Sequence, residues 1–557
     1  MFEKLKLNGI RLFLVLAAFI IFFLYFFLLN RYHLLYLEQE QLFRFSKDYL
    51  KEFLSLPGSL PLLTGTFFTQ FFINPVAGSF IITAVAVLLF LFSRRMAGKP
   101  GSINIILSMV PVCLIAMLHS TEIFTFGQTA GIILSWLWIA FFISTGSDSR
   151  KMIILFLCWP LFYLLSGAFA IPAALISALF VVISGKERKR FIIAPLMVAG
   201  ALLIPLAFSK FLYYLPSDQI FTYPIMTGLP DRAKYPLIAI LLWPLVLIVL
   251  PFIYSGKKKL SVLNDRKFEI PALLAVSVII ILMGFSVYRY AWNKPAELML
   301  AADHHVQKGE WDKVLKTAGD FPGLNTLVIY YTNLALAGKG ELTEKMFSYP
   351  QFGSAGLRLR WERNDNLFFG GDVFYSLSYI NEANRWAFES MVAKGLNPRS
   401  LKRLVLTAVI NKEYDVAAKY LLKLDQTLFY RKWAAKYREL IKNPSAADED
   451  PEINRHRHLL VSTDFISRSN SLNLDDLLNN HPDNRMAYEY IMATVLLDRN
   501  LEAFAEFVPR IVNYNYSSLP RHIEEALIFY NSYERKNIMP EGFSFSPEVV
   551  KRFGDYA

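Results

Sequence analysis

Nine apolar segments fill the first 290 residues, at about 11–29, 72–93, 102–118, 129–145, 152–167, 169–184, 192–208, 237–254 and 270–288. Runs of roughly 18 apolar residues are long enough, as helices, to cross the hydrocarbon of a bilayer. Lipid offers no partner to a backbone N–H or C=O, so such runs must be helices that satisfy their own hydrogen bonds. The chain is 54% hydrophobic with a mean hydropathy of +0.34, above what one soluble domain usually reaches. The expected fold class is all-α: a polytopic membrane helix bundle of about nine spans over residues 1–290, then an extracytoplasmic helical-repeat, TPR-like domain. The fifth and sixth segments are short and separated only by the Gly167 region, which fits a tight hairpin or a re-entrant pair.

Charge orients the bundle. Alternate loops hold Lys4, Lys6 and Arg11, then Arg94, Arg95 and Lys99, then Arg150 and Lys151, then Lys186, Arg188, Lys189 and Arg190, then Lys257, Lys258, Lys259, Arg266 and Lys267. The intervening loops, nearly twice as long, hold Arg31, Arg44, Lys47, Lys51, Lys210, Arg232 and Lys234. The positive-inside rule then places the N-terminus in the cytoplasm, and nine crossings place everything after Tyr288 outside. The expected location is a bacterial plasma (inner) membrane, with the lipid bilayer as first partner. The net charge of +12 is spent on these short loops, so no nucleic-acid partner is expected. Cys113 and Cys158 both lie inside apolar segments and read as small core residues, not as a disulfide or a thiolate site. The basic head and long apolar stretch of MFEKLKLNGIRLFLVLAAFIIFFLYFFLLN, with no small-x-small cleavage site, read as a retained first helix.

The first long outer loop, 30–71, mixes aromatic and charged residues as interfacial helices do, with breaks at Pro57-Gly58 and Pro61. The second, 209–236, is punctuated by Pro216, Pro224 and Pro230. The tail repeats a turn followed by an acidic-aromatic helix: KGEWDKVLKTA near Gly309, KGELTEKMF near Gly340, NKEYDVAAKYLLKL near Glu413 and RNLEAFAEFVPRI near Asn500. The first two are 31 residues apart, near the roughly 34-residue period of tetratricopeptide repeats. The expected domains are 291–442 and 457–557, with the polar stretch 443–456 as a linker.

No soluble-enzyme motif survives: there is no GxxxxGK[ST], CxxC, HExxH or nucleophile elbow. His304 and His305 are adjacent, so on a helix they point about 100° apart and suit a surface or cap better than one metal. Polar side chains gather instead at the outer ends of the apolar segments. Glu38 and Glu40 follow the first, His119 and Glu122 the third, and Asp218, Asp231, Arg232 and Lys234 precede the eighth. A carboxylate there can deprotonate an acceptor, and cations can hold a lipid-linked phosphate. On a helix, Glu38 and Glu40 would diverge by about 200°, Glu40 and Arg44 have the spacing of an ion pair, and His119 and Glu122 would share a face.

A first span, a long outer loop with interfacial helices and an early acid, further spans and an outer soluble domain resemble membrane glycosyltransferases of the GT-C superfamily. The resemblance covers the architecture of residues 1–290 and implies a polyprenyl-phosphate-linked sugar donor on the outer face. It makes Glu38 or Glu40 the catalytic carboxylate, and leaves a divalent cation open as cofactor. Family members carry an acidic pair with at least one Asp, where this chain has Glu38-Gln39-Glu40. On this reading His119, Glu122, Asp231, Arg232 and Lys234 bind substrate, with Arg232 and Lys234 on the diphosphate. The chain also resembles bacterial multi-pass proteins with a helical-repeat tail, a resemblance that adds no mechanism. Stacked helix pairs make concave surfaces suited to peptides, so the alternative is a membrane-anchored scaffold whose tail binds a protein partner during envelope assembly. A transporter ranks third, because the apolar segments carry almost no charge.

Overall fold

A computed structural model describes residues 2–97, 102–146, 148–184, 190–213, 215–216, 218–226, 228–255, 269–361, 364–461 and 474–556. Among the described residues no strand forms, and the chain is all-α. It divides into two compact units: Met1–Glu38 with Phe43–Asn293, and Gln39–Leu42 with Lys294–Ala557.

The helices of the first unit are α1 (Phe2–Leu24), α2 (Arg31–Glu40), α3 (Lys47–Leu54), α4 (Ser59–Thr69), α5 (Pro75–Met96), α6 (Ser102–His119), α7 (Phe126–Ser144), α8 (Asp148–Ser166), α9 (Ala170–Ser184), α10 (Arg190–Phe211), α11 (Asp231–Ser255) and α12 (Glu269–Ala291). Each of the nine expected apolar segments falls in one of these helices. Among the described residues, seven helical runs are long and apolar enough to cross a membrane: Gly9–Leu29, Pro75–Met96, Phe126–Ser144, Leu157–Ser184, Phe191–Phe211, Asp231–Leu250 and Leu273–Ala291. Two differences from the sequence expectation have physical causes. Ile103–His119 is a shorter apolar helix, about 26 Å at 1.5 Å per residue against a hydrocarbon core of about 30 Å. Leu157–Ser184 is a single apolar run by length, but Gly167 inside it has φ +63°, a left-handed conformation that interrupts a right-handed helix between α8 and α9.

These runs display apolar surface rather than hiding it. Only 17% of Leu273–Ala291 and 22% of the window in Gly9–Leu29 is buried. Phe13, Phe80, Leu157 and Ile281 are each about two-thirds exposed or more. That much open hydrocarbon is stable against lipid, not against water. Inside the bundle, polar ties cross between helices. Trp136 Nε1 donates to the Ile240 carbonyl (3.1 Å), Trp243 Nε1 to the Leu107 carbonyl (3.1 Å) and Trp292 Nε1 to the Leu29 carbonyl (2.8 Å). The 30–71 loop forms three helices, α2, α3 and α4.

The second unit begins with α13 (Lys294–Gln307), α14 (Trp311–Gly319), α15 (Thr326–Gly338) and α16 (Leu342–Lys345). It continues with α17 (Gly371–Ser376), α18 (Ile380–Lys394), α19 (Pro398–Ile410), α20 (Tyr414–Asp425) and α21 (Arg431–Lys442). The stretch 443–456, read as a linker, is folded into α22 (Pro444–Glu449) and most of α23 (Pro451–His458), whose Ala447 and Ile453 are buried. The chain closes with α24 (Leu474–Asn480), α25 (Arg485–Leu497), α26 (Leu501–Phe507), α27 (Arg521–Glu534) and α28 (Pro547–Tyr556). The recurring turn of the tail has one geometry. Gly309, Gly340, Lys412 and Arg499 all adopt φ between 56° and 69°. The next residue's N–H reaches back five positions: Glu310 to His305, Glu341 to Leu336, Glu413 to Ala408 and Asn500 to Val495, at 2.8–2.9 Å. This is a Schellman cap, which satisfies orphan carbonyls at a helix C-terminus and turns the chain into the next helix.

Candidate functional site

At one end of the first unit three chain segments meet: the turn after α6, the start of α11, and Asn293 beyond α12. Arg232 Nη2 donates to Glu122 Oε2 (2.6 Å), and Asn293 Nδ2 donates to Glu122 Oε1 (3.0 Å). Lys234 Nζ donates to Asp231 Oδ1 at 2.7 Å within the first turn of α11, an exposed i,i+3 pair. The cations expected to hold a diphosphate are therefore each matched by a carboxylate of the same unit. The Asp218 carbonyl accepts from the Thr222 hydroxyl (3.2 Å).

His119 and Glu122 do not share a helix face, because α6 stops at His119 and Glu122 lies in the turn that follows. His119 is wholly buried. Its Nε2 is 2.8 Å from the Thr129 hydroxyl, and the rings of Phe26, Phe124 and Phe126 enclose it at 5.0–6.3 Å. Its Nδ1 has no hydrogen-bond partner. His33 on α2 is also buried, and burial pulls its imidazole down to about 4 against the opposing pull of the Glu122 charge. His33 thus lies within electrostatic range of Glu122 and of the His119 ring.

Glu38 and Glu40 part company as helical geometry requires. Glu38 is 1% exposed and belongs to the first unit, whereas Glu40 belongs to the second and its carboxylate pairs with Lys394 Nζ. Beside it, Gln39 Nε2 donates to the Tyr430 hydroxyl (2.8 Å). The expected Glu40–Arg44 pair does not form, because α2 ends at Glu40. Arg44 turns instead to Glu52, at 3.1 and 3.2 Å, and lies over the Tyr49 ring. Of the seven residues singled out in the sequence, the fold joins Glu122 to Arg232 and Asp231 to Lys234.

A family model matches residues 6–557. The chain belongs to DUF6057, a family of unknown function. No curated protein and no solved structure matches it. The family match spans both units, so the apolar bundle and the helical tail make up one DUF6057 chain.

The second unit of this DUF6057 chain holds buried chemistry that local sequence patterns do not announce. Arg399 Nη1 grips both oxygens of Asp303 (2.8 and 2.9 Å), and its Nη2 reaches Asp372 (2.7 Å). Arg403 and Gln307 complete Asp372 at 3.1 and 3.0 Å, and the Tyr331 hydroxyl donates to Asp303 at 2.5 Å. Two guanidinia balance two carboxylates, with every oxygen hydrogen-bonded, which is the condition under which a buried ionic group is tolerated. Among the described residues, no group of three His, Cys, Asp or Glu side chains is placed to hold a metal. His305 Nδ1 lies 2.6 Å from Glu310 Oε2, and Lys313 followed by His305 holds that carboxyl down at about 2.

Proposed function

We propose that this DUF6057 chain is a multi-pass protein of the bacterial inner membrane that presents its C-terminal helical unit outside the cell membrane, as a TPR-like platform for a partner in envelope assembly. The N-terminus is cytoplasmic on this reading, from the cation bias of alternate loops. Nine crossings send the tail to the far side. Successive helices joined by one type of cap, 31 residues apart at Gly309 and Gly340, support stacked helix pairs with a concave binding surface.

One observation favours a platform over group transfer: the charges a transferase would need are already matched within the chain. Arg232 is on Glu122, Lys234 on Asp231 and Glu40 on Lys394. A donor diphosphate would have to displace a carboxylate from each cation. The second reading is a GT-C-like transferase using a polyprenyl-phosphate-linked sugar donor. It draws on Glu38, a carboxylate almost fully buried on the helix after the first apolar run.

Replacement of the two carboxylates separates these readings. A deletion strain carrying the full chain with Glu38→Gln and Glu40→Gln should recover whatever envelope defect the deletion causes, at matched protein level in the membrane. Failure to recover it at normal protein level would favour the transferase.

A further inference from the structure

The second unit contains a cavity of about 630 Å³, within the size range of small-molecule sites. Its apolar wall comes from Met299, Leu327, Phe352, Leu359 and Phe369, and its charged wall from Arg358 and Arg360. Among the described residues, no aspartate or glutamate lines it.

The charged wall is built by the local sequence. In Leu357-Arg358-Leu359-Arg360 the apolar residues alternate with the basic ones. Leu357 and Leu359 are buried, Arg358 is half-buried, and Arg360 is exposed. The loop that carries them is fastened to α15. Asn333, fully buried, donates to Gln351 Oε1 (3.0 Å) and to the Gly356 carbonyl (3.1 Å), while Gln351 Nε2 donates back to Asn333 Oδ1 (3.0 Å). Gly356 is required for this approach, since a Cβ there would stand 2.8 Å from Ile329 Cγ2. Asn366 Nδ2 donates to the Arg360 carbonyl at 2.8 Å and fixes the backbone under the guanidinium. Among the described residues, the Arg360 guanidinium makes no ion pair. An arginine on a fastened backbone beside an apolar wall is preorganised for an oxyanion that carries an apolar body.

We propose that this cavity binds an anionic small molecule, with its carboxylate or phosphate on Arg360 and its apolar part against Phe352 and Phe369. The inference gives the platform of the previous subsection a ligand class and rests on that reading for its biological role; binding itself is measured on the purified chain.

The test uses the full chain in nanodiscs of neutral phosphatidylcholine, with saturation-transfer NMR of phenyl phosphate and, in parallel, phenylacetate. Benzyl alcohol serves as the uncharged control. Wild type should bind at least one of the anions more tightly than the alcohol, and which one is bound tells phosphate from carboxylate. Arg360→Gln should weaken that binding tenfold or more. Ala355→Trp, which puts a large ring into the cavity from its exposed edge, should weaken it with Arg360 intact. Both sites are exposed, and an unchanged circular dichroism spectrum confirms that the variants fold. Binding of neither anion, equal binding of the alcohol, or an Arg360→Gln chain that binds like wild type would overturn the proposal. Each of those results leaves the carboxylate replacements at Glu38 and Glu40 to decide the platform reading separately.

Discussion

His456 shows what burial does to a single titratable residue. Its side chain is fully buried on α23, with the ring tilted against Tyr375 at 4.4 Å between centroids. Arg455 Nη2 can only donate, so His456 Nε2 (3.2 Å) accepts, and the proton sits on Nδ1, which faces the Ser378 hydroxyl at 2.9 Å. Burial first, then the charges of Arg455 and Arg403, pulls the imidazole from 6.5 to about 3. The folded state therefore binds this proton less readily than the unfolded state. The stability it protects is complete above about pH 6.5 and is lost as pH falls from 6.5 towards 3, by up to about 1.4 kcal/mol per pH unit. Denaturant unfolding at pH 7 and pH 5 should show this loss, and His456→Gln should flatten it. An equal loss in both proteins would assign the acid sensitivity to other groups. Nothing near His456 in the sequence marks it as buried, because Ser378 and Tyr375 are almost 80 residues away. Separations of 96 and 27 residues likewise hide the Asp303–Arg399–Asp372 network.

At the scale of elements, the apolar helices were legible because hydrocarbon imposes a length and a composition on each segment separately. Their ends were less so. Two side-chain pairings inferred from helical spacing, His119 with Glu122 and Glu40 with Arg44, failed because both helices stop before the second residue. Close packing between elements is set by small residues that spacing alone does not pair. Gly65 on α4 faces Gly127 on α7 so closely that a Cβ on Gly65 would lie 2.4 Å from the Gly127 Cα and N. Backbone cannot yield as a flexible side chain does, so Gly65→Ala should force α4 and α7 apart at a cost of about 1–3 kcal/mol. Gly284→Ala on α12, where a Cβ meets nothing within 4 Å, is the matched control and should be neutral or slightly stabilising. Thermal unfolding of the two variants in one detergent measures the difference. Equal melting temperatures would mean that α4 and α7 are not in such close contact.

For the whole molecule, the division into an apolar bundle and a helical tail was readable from composition, because lipid and water select opposite surfaces. The chemistry was not. Ionic partners across 110 residues, as for Glu122 and Arg232, depend on how helices pack and not on any local pattern. The central claim is that the second unit is presented on the side of the membrane opposite the N-terminus. Single-cysteine labelling of the full chain tests it most directly, with Cys113 and Cys158 replaced by Ser and one cysteine placed at Lys6 or at Glu548, which is exposed. A membrane-impermeant maleimide should label Glu548→Cys in intact spheroplasts and Lys6→Cys only after lysis. Labelling of both positions from the same side, or of Lys6→Cys alone in intact spheroplasts, would contradict it.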